Sequence, residues 1–297
     1  MASIYEKQSD SLIIQSLFAQ RRYYTYAKIW TCAYFIVCVF LVCSFAVLKT
    51  YCKCDFITGL SIGLSIAVMF AASFINEFVN RNKKKAAEIQ QYIDMSLFTE
   101  NSSSCNNWQR PLSKSRIIEI VSSFPKNGFC KNDKWYEDYS TKPFNSQIIL
   151  CQKENIRWDK NLRDVYKYFC LALLIVAIVI IFFIGLINNP TLLEVLGFIS
   201  WILPFVKYGF SFHKRMKQDE KRLEEMNNFA NNLVELDFDS DPTAVNDLIK
   251  LQNEIFEHRK NAVLIPNKFF EIFHSSFQKK EEDIAKNFRG ESHDSRD

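Results

Sequence analysis

Glycine, proline and histidine are scarce in this 297-residue chain, which has seven glycines, seven prolines and four histidines. With so few glycines, the sequence contains no G-x-x-x-x-G-K-[ST] loop to cradle phosphates and no G-x-S-x-G nucleophile turn. The four histidines are scattered, and none lies in an H-E-x-x-H pattern or beside a C-x-x-C pair. No catalytic constellation is present, so we expect a protein that is not an enzyme and has no cofactor.

Metal-binding patterns are also incomplete. Asp237, Asp239 and Asp241 resemble the start of a calcium loop, but the glycine and the closing glutamate that such a loop requires are missing. Cys52 and Cys54 form a C-x-C pair with no second pair to complete a site. We therefore interpret the aspartates as a solvated turn before a helix, and we expect no metal site.

Charged residues are absent from three long stretches, residues 30–48, 56–74 and 168–187. A helix needs about 20 apolar residues to cross the hydrocarbon core of a bilayer, and each stretch reaches that length. A fourth apolar run, residues 192–212, has Pro204 inside it and charged residues only near its ends. We predict four transmembrane helices. The fourth is either an ordinary span or a helix that is bent at Pro204 and acts as a gate.

Lysine and arginine are distributed unevenly around these four runs. Fifteen of them flank the runs on the side of the termini and the middle segment, whereas the two short connecting loops hold only Lys49 and Lys53. The positive-inside rule therefore places both termini in the cytosol. The net charge of +4 reflects mainly this bias, so we expect no binding of DNA or RNA. The predicted segments are a cytosolic N-terminal segment (1–27), a transmembrane hairpin (28–79), a cytosolic helical segment (80–165), a second transmembrane hairpin (166–212), cytosolic C-terminal helices (213–288) and a disordered tail (289–297).

Helical spacing of apolar residues fills the remaining segments, and no stretch alternates as a strand would. The pattern predicts a helix over 113–124, a helix that starts near Asn145 and continues into the third run, and an extension of the fourth run into the cytosol. Residues 11–18 read as a short amphipathic helix lying near the membrane. The predicted fold is an all-α membrane protein, with four transmembrane helices in two hairpins and a helical cytosolic domain built from the middle and C-terminal segments.

Small residues recur at every fourth position of the second run, at Gly59, Gly63, Ala67 and Ala71. Such a ridge allows another helix to approach closely. It indicates either packing within one subunit or a contact between subunits, including a pore wall.

Basic and aromatic residues also cluster in the loops of the middle segment. Such a set suits a small nucleotide, because cations neutralise phosphates and rings stack on bases, but a solvated loop near a negative membrane is the favoured interpretation. The set comprises Trp108, Arg110, Lys114, Arg116, Lys126, Lys131, Lys134, Trp135 and Tyr136.

Three helical stretches carry a family resemblance: "AAEIQQYIDMSLF" after the second run, "CQKENIRWDKNLRDVYKYF" leading into the third, and "LIKLQNEIFEHRKNAVLIPNKFFEIFHSSFQKKEEDI" near the C-terminus. Their order around two hairpins resembles the SMODS-associated four-transmembrane effector family of bacterial antiphage systems of the CBASS type. The resemblance covers the chain from about Arg21 to Asn287.

The resemblance implies a multi-pass protein of the bacterial inner membrane. A partner nucleotidyltransferase would make a cyclic oligonucleotide on infection, and the effector would bind it, oligomerise or rearrange, and compromise the membrane. The infected cell would then stop growing or die before phage mature. Two alternatives stay open, a membrane receptor or scaffold that recruits a cytosolic protein and a constitutive channel.

Polar residues within the resembling stretches are the candidates for binding or coupling. Asp159 and Arg163 form an i,i+4 pair, whose role is either in function or in plain helix stabilisation. The first candidate set is Asn155, Arg157, Trp158, Asp159 and Arg163, and the second is Gln252, Asn253 and Arg259.

Overall fold

The structure is a computed structural model that describes residues 3–51, 55–99, 111–124, 135–187, 192–236, 238 and 242–290. Within these ranges the chain forms eight helices and no strand, which confirms the all-α prediction. The helices are α1 (Ile4–Lys7), α2 (Ser11–Tyr51), α3 (Asp55–Phe98), α4 (Lys114–Ser122), α5 (Phe144–Ile187), α6 (Leu192–Val234), α7 (Pro242–Asn261) and α8 (Asn267–Arg289).

Four of the helices are very long. Helices α2, α3, α5 and α6 have 41, 44, 44 and 43 residues, which corresponds to about 60–66 Å each at a rise of about 1.5 Å per residue. Helix α2 packs mainly on α3, and α5 packs mainly on α6. As predicted, α5 begins next to Asn145 and continues through the whole third apolar run, and α6 continues beyond residue 213.

The hydrophobic core lies at one end of these long helices. The fully buried side chains there come from α3, α5, α6 and α7, joined by α1, α4 and the start of α2. Burying each large aliphatic side chain stabilises the fold by about 1.5–3 kcal/mol. The largest of them include Ile89, Ile93, Leu97, Ile149, Ile156, Leu223, Leu233 and Leu248.

The other end of the long helices exposes large apolar side chains, which we call the apolar band. Phe74 is 73% exposed and Phe210 is 68% exposed. Within the described residues, no helix combines the length and the mean hydropathy that a membrane span requires. The four predicted spans are therefore not confirmed and stay a prediction. The apolar band comprises Ile29, Trp30, Phe35, Ile36, Val37, Ile66, Phe70, Phe74, Phe78, Tyr168, Phe169, Leu171, Leu173, Ile175, Val176, Val179, Phe183 and Phe210.

Two boundaries differ from the sequence prediction. Residues 11–18 are the first turns of α2, and Ile13 and Leu17 are buried in the main core. The prediction of a separate helix near the membrane is wrong, because this apolar face packs against the other core helices. At the far end, α8 includes Arg289 and is closed by Gly290 with φ 78°, a left-handed conformation that glycine adopts without strain.

Several predicted features lie outside the described residues. They are the two short connecting loops with Cys52 and Cys54, the aspartates Asp237, Asp239 and Asp241, the final segment 291–297, and the basic or aromatic residues Trp108, Arg110, Lys126, Lys131 and Lys134.

Candidate functional site

Asp94 on α3 is the centre of a buried polar network. Its side chain is fully buried and accepts three hydrogen bonds, from Tyr136 Oη at 2.7 Å, Gln252 Nε2 at 2.9 Å and Arg259 Nη1 at 2.5 Å. A carboxylate removed from water requires such donors, because an unpaired buried charge is very costly. Asp94 thereby connects α3 to α7 and to the segment that precedes α5.

Side-chain amides extend this network to α5. Gln252 Nε2 also donates to Gln91 Oε1 at 3.0 Å, and Gln152 Nε2 donates to Gln252 Oε1 at 3.1 Å. Asn155 Nδ2 donates to Tyr136 Oη at 2.5 Å. Because each amide bonds a partner on a different element, a displacement of α5 would break several of these bonds together.

A second cluster surrounds Arg163, two turns further along α5. Asp159 lies 3.0 Å from Arg163 Nε and 2.8 Å from His258 Nε2. Arg163 Nη1 donates to Asp219 Oδ2 at 2.8 Å and to Val263 O at 3.1 Å, and Val263 N donates to the same Asp219 oxygen. Burial raises the pKa of Asp159, but the charge of Arg163 and the hydrogen bond with His258 outweigh it and lower that pKa. The ionised Asp159 thus links α5 to α7, while Arg163 links α5 to α6.

The opposite side of α5 binds α8. Arg157 donates to Glu281 from Nε at 3.1 Å and from Nη2 at 2.5 Å, and Glu281 is almost fully buried. The Trp158 ring stacks on Phe270, with centroids 5.4 Å apart, and meets Phe277 edge-on at 5.5 Å. These contacts hold α8 alongside α5.

The first candidate set is therefore divided between two sides of α5, and one of these sides also meets the second set. Asn155 contacts Tyr136 in the segment before α5, Asp159 contacts α7 and Arg163 contacts α6. All three lie in the same region as Gln252 and Arg259. Arg157 and Trp158 face α8 instead, as described above. Asn253 lies next to Gln252 on α7, and its Oδ1 is buried without a hydrogen-bond partner among the described residues.

Asp94, Gln91, Gln152, His258 and Asp219 were missed by the sequence analysis. The signal for Asp94 was available, because positions 87, 91, 94 and 98 lie at helical spacing on one buried face of α3. A carboxylate and an amide inside an otherwise apolar stripe indicate a polar contact in the core. No comparable signal shows that residues near positions 94, 152 and 252 meet.

The basic and aromatic set does not form a stacking platform in the described part of the chain. Tyr136 is 2% exposed and is held by Asp94, so its ring is not available to a base. The backbone amides of Trp135 and Tyr136 both donate to Gln8 Oε1, at 2.6 and 2.7 Å. Arg116 on α4 is exposed and pairs with Glu119.

The small-residue ridge on α3 faces outward. Gly63, Ala67 and Ala71 are exposed, and among the described residues nothing lies within 4 Å of a Cβ placed on Gly63. Packing of this part of the ridge within one chain is therefore not observed. The close approach of two helices occurs instead at Gly209 on α6, where an added Cβ would overlap the Leu174 side chain of α5.

Comparisons with known proteins show that the sequence matches a known family. The model of the family described as the SMODS-associating 4TM effector domain matches residues 2–288. A protein of Bacillus cereus (strain VD146) described as a probable CBASS effector molecule is 26% identical over 152 residues, which is 49% of this chain and 49% of that protein. The match thus spans about half the length of that curated relative. No solved structure matches the chain.

Proposed function

Since the chain belongs to the SMODS-associating 4TM effector domain family, we propose that it is a membrane effector of a CBASS-type antiphage system. A cyclic oligonucleotide made by a partner nucleotidyltransferase activates it. The activated protein disrupts the inner membrane, and the infected cell stops growing or dies. It acts by binding and rearrangement, without catalysis.

The continuity of α5 is the observation that carries this proposal. One half of this helix contributes Gln152, Asn155, Asp159 and Arg163 to the polar clusters, and the other half belongs to the apolar band. The distance along the axis from Arg163 to Phe183 is about 30 Å. A ligand that alters the polar clusters therefore moves a rigid helix within the band, provided that it binds the two states with different affinity.

Exposure of the apolar band supports the membrane part of the proposal. Soluble monomers rarely expose contiguous apolar patches larger than a few hundred Å², whereas here large side chains such as Phe70, Phe74 and Phe183 are each more than half exposed. Lipid chains can cover such an apolar surface on several sides of a helix bundle at once. The bias of lysine and arginine supports an orientation with both termini in the cytosol.

The outward-facing ridge supports association of several copies. Gly63, Ala67 and Ala71 are exposed on α3, and a ridge of small residues allows close contact with a helix of another copy. Rearrangement at this contact is the proposed route to a pore or to a depolarised membrane.

Dye release from liposomes tests the proposal directly. The purified protein is inserted into liposomes that contain a self-quenched dye, and a panel of cyclic di- and trinucleotides is added. Release with one messenger supports the proposal and identifies its ligand. No release with any messenger, from protein shown to be folded and inserted, contradicts direct permeabilisation and favours a receptor that recruits a cytosolic protein.

A matched pair of variants tests the coupling. Arg163→Gln removes the ion pair between α5 and α6 and the bond to the Val263 carbonyl after α7, and we expect it to abolish messenger-dependent release. Arg116→Gln removes the same charge from the exposed surface of α4 and should release dye like the native protein. Equal release by both variants would contradict a role for the polar clusters, whereas loss of insertion by Arg163→Gln would place the role of that residue in folding.

A further inference from the structure

Residues 3–8, which precede α2, pack against the ends of two long helices. Ile4 is 2% exposed within the main core, and its backbone amide donates to Gln147 Oε1 in the first turn of α5 at 3.2 Å. Lys7 Nζ lies 3.5 Å from the carbonyl oxygen of Leu97, at the end of α3. These contacts hold residues 3–8 where α3 ends and α5 begins, and we call these residues the clasp.

The Gln8 side chain joins the clasp to the segment before α5. This side chain is buried, and its Oε1 accepts from the backbone amides of Trp135 and Tyr136, at 2.6 and 2.7 Å. Its Nε2 donates to the carbonyl oxygen of Tyr136 at 3.0 Å. Buried backbone groups need such partners, so Gln8 fixes both the amide and the carbonyl group of Tyr136.

Tyr136 in turn connects α3 to α5. Its Oη donates to Asp94 Oδ1 at 2.7 Å and accepts from Asn155 Nδ2 at 2.5 Å. Both bonds depend on the position of the Tyr136 backbone, which the bonds to Gln8 maintain. The clasp therefore stabilises a connection between the two long helices.

Helix α1 makes up most of the clasp and does not persist by itself. It has four residues, Ile4–Lys7, and a single helical turn is unfavourable in isolation because nucleation fixes several dihedral angles for one hydrogen bond. Its internal support is a capping box, in which Ser3 and Glu6 each bond the backbone amide of the other. The clasp is therefore folded when it is docked and unfolded when it is released, which makes it an element with two states.

We propose that residues 3–8 are a releasable clasp that opposes displacement of α5 by holding Tyr136 between α3 and α5. The docked clasp keeps the Tyr136 hydroxyl in contact with Asp94 and Asn155. Release of the clasp frees α5 from this connection. The consequence for activity rests on the proposed function, in which displacement of α5 within the apolar band activates the protein.

A second connection between α5 and the polar network does not pass through the clasp. Gln152 Nε2 donates to Gln252 Oε1 at 3.1 Å, and Gln252 Nε2 donates to Asp94 Oδ2 at 2.9 Å. Release of the clasp therefore weakens the attachment of α5 without removing it. A messenger that favours the displaced state then shifts the equilibrium at a lower concentration.

Amide hydrogen exchange of the full-length native protein in nanodiscs tests the clasp without a variant or a messenger. The amide of Lys7 donates to a carbonyl oxygen inside the clasp, and the amides of Trp135 and Tyr136 donate to Gln8. We expect these three amides to open with one common free energy, lower than that of core amides of α3 such as Ile93. Separate opening of the clasp and the segment before α5, or opening of both only together with α3, overturns the proposal.

Gln8→Met tests the effect of the clasp on activation. Methionine has a similar length and an apolar end, so it fills the buried position and removes the three hydrogen bonds of Gln8. In the liposome assay, with each cyclic di- and trinucleotide of the panel, we expect half-maximal dye release at an about tenfold lower concentration than for the native protein, because loss of such bonds shifts an equilibrium by about that factor. Gln218→Met alters an exposed glutamine of α6 and should match the native protein. An unchanged or a higher concentration for Gln8→Met overturns the clasp.

A double-mutant cycle separates this effect from general destabilisation. Tyr136→Phe removes the hydroxyl through which the clasp acts and leaves the backbone bonds to Gln8 in place. Addition of Gln8→Met to Tyr136→Phe should therefore change the concentration for half-maximal release little further. The same tenfold change in the native and the Tyr136→Phe backgrounds overturns the proposal, because the two residues would then act independently.

The measurements distinguish failure of the clasp from failure of the proposed function. If the native protein responds to a nucleotide and Gln8→Met responds identically, the clasp is overturned and the proposed function stands. If the native protein releases no dye with any nucleotide, the proposed activation fails, and hydrogen exchange in Gln8→Met decides about the clasp. Faster exchange of α5 around Asn155 then supports the clasp, and native exchange there overturns it.

Discussion

Asp94 and Arg259 form an ion pair, with Oδ2 and Nη1 2.5 Å apart, although 165 positions separate them in the chain. Asp94 is fully buried and Arg259 is nine-tenths buried, so water compensates neither charge. Each charge therefore depends on the other, and the Asp94 carboxylate also depends on the donors from Tyr136 and Gln252. The pair fixes α7 against α3 at the centre of the polar network.

Removal of one member of this pair should destabilise the protein strongly. Asp94→Asn leaves the Arg259 guanidinium without its counter-charge, and breaking a buried pair in this way typically costs about 3–5 kcal/mol. We expect a large decrease in the thermal midpoint, measured by circular dichroism in detergent. Glu119→Gln breaks the exposed Arg116–Glu119 pair and should leave the midpoint unchanged. A midpoint of Asp94→Asn equal to that of Glu119→Gln would show that the buried pair does not stabilise the fold.

Attachment of α8 should depend on Trp158. Trp158→Ala removes the stack on Phe270 and the edge contact with Phe277, and such aromatic pairs contribute about 0.5–1.5 kcal/mol each beyond burial. We expect faster amide hydrogen exchange in α8 and unchanged exchange in α3. Ile272→Ala alters a residue of α8 that is 68% exposed and is the control. Native exchange rates in the α8 of Trp158→Ala would contradict the role assigned to this ring.

Stability should fall as the pH rises, because of Glu154 on α5. Burial raises the pKa of this carboxyl to about 8, and the charges of Glu281 and Glu137 raise it as well. The ordinary pKa is 4.5, so between pH 4.5 and about 8 the folded state binds more protons than the unfolded state. The contribution of Glu154 to the free energy of unfolding is fully present below pH 4.5 and is lost as the pH rises through about 8.

Glu154→Gln isolates this effect. The amide stays neutral at every pH, so we expect the thermal midpoint of this variant to decrease less than that of the native protein between pH 5 and pH 8.5. Glu225→Gln alters a glutamate that is 66% exposed and should keep the native pH dependence. If the thermal midpoints of the native protein and of Glu154→Gln change equally with pH, this carboxyl is ionised in the folded state and the prediction is contradicted.

The course of α5 was predictable from the sequence because it depends on local signals. The third apolar run and the charged stretch before it share one uninterrupted helical pattern, and α5 is indeed one helix from Phe144 to Ile187. The first turns of α2 were predicted as a short helix of their own near the membrane, whereas they continue into a 41-residue helix and pack in the core. The amphipathic pattern of residues 11–18 shows which face is apolar, but it does not show whether lipid or the protein core covers that face.

The polar network was predictable only in part, because it depends on distances between elements. Asn155, Asp159 and Arg163 were selected for their position in one helix, but their partners come from other helices. Asp159 meets His258, and Arg163 meets Asp219 of α6. Arg157 and Trp158 were selected with them and face α8 instead, because positions 157 and 158 lie on another side of the same helix.

Substitution by leucine should lower the thermal midpoint at one glycine and leave it unchanged at another. Gly209→Leu places a side chain where Leu174 of α5 lies, and overpacking of this kind typically costs about 1–3 kcal/mol. We expect a lower thermal midpoint and weaker α5–α6 packing, measured by circular dichroism and by a cysteine cross-link between the two helices. Gly63→Leu adds the same side chain where nothing of the described chain lies within 4 Å, so its midpoint should be native.

Gly63→Leu then tests the contact between copies separately from folding. The ridge that contains Gly63 should no longer approach a second copy closely, so we expect inserted and folded protein that has lost messenger-dependent dye release and toxicity. Cross-linking in the membrane should show fewer oligomers than for the native protein. Native toxicity and native oligomers in Gly63→Leu would contradict the assembly role of the ridge, and a lower midpoint would show that Gly63 packs within its own chain.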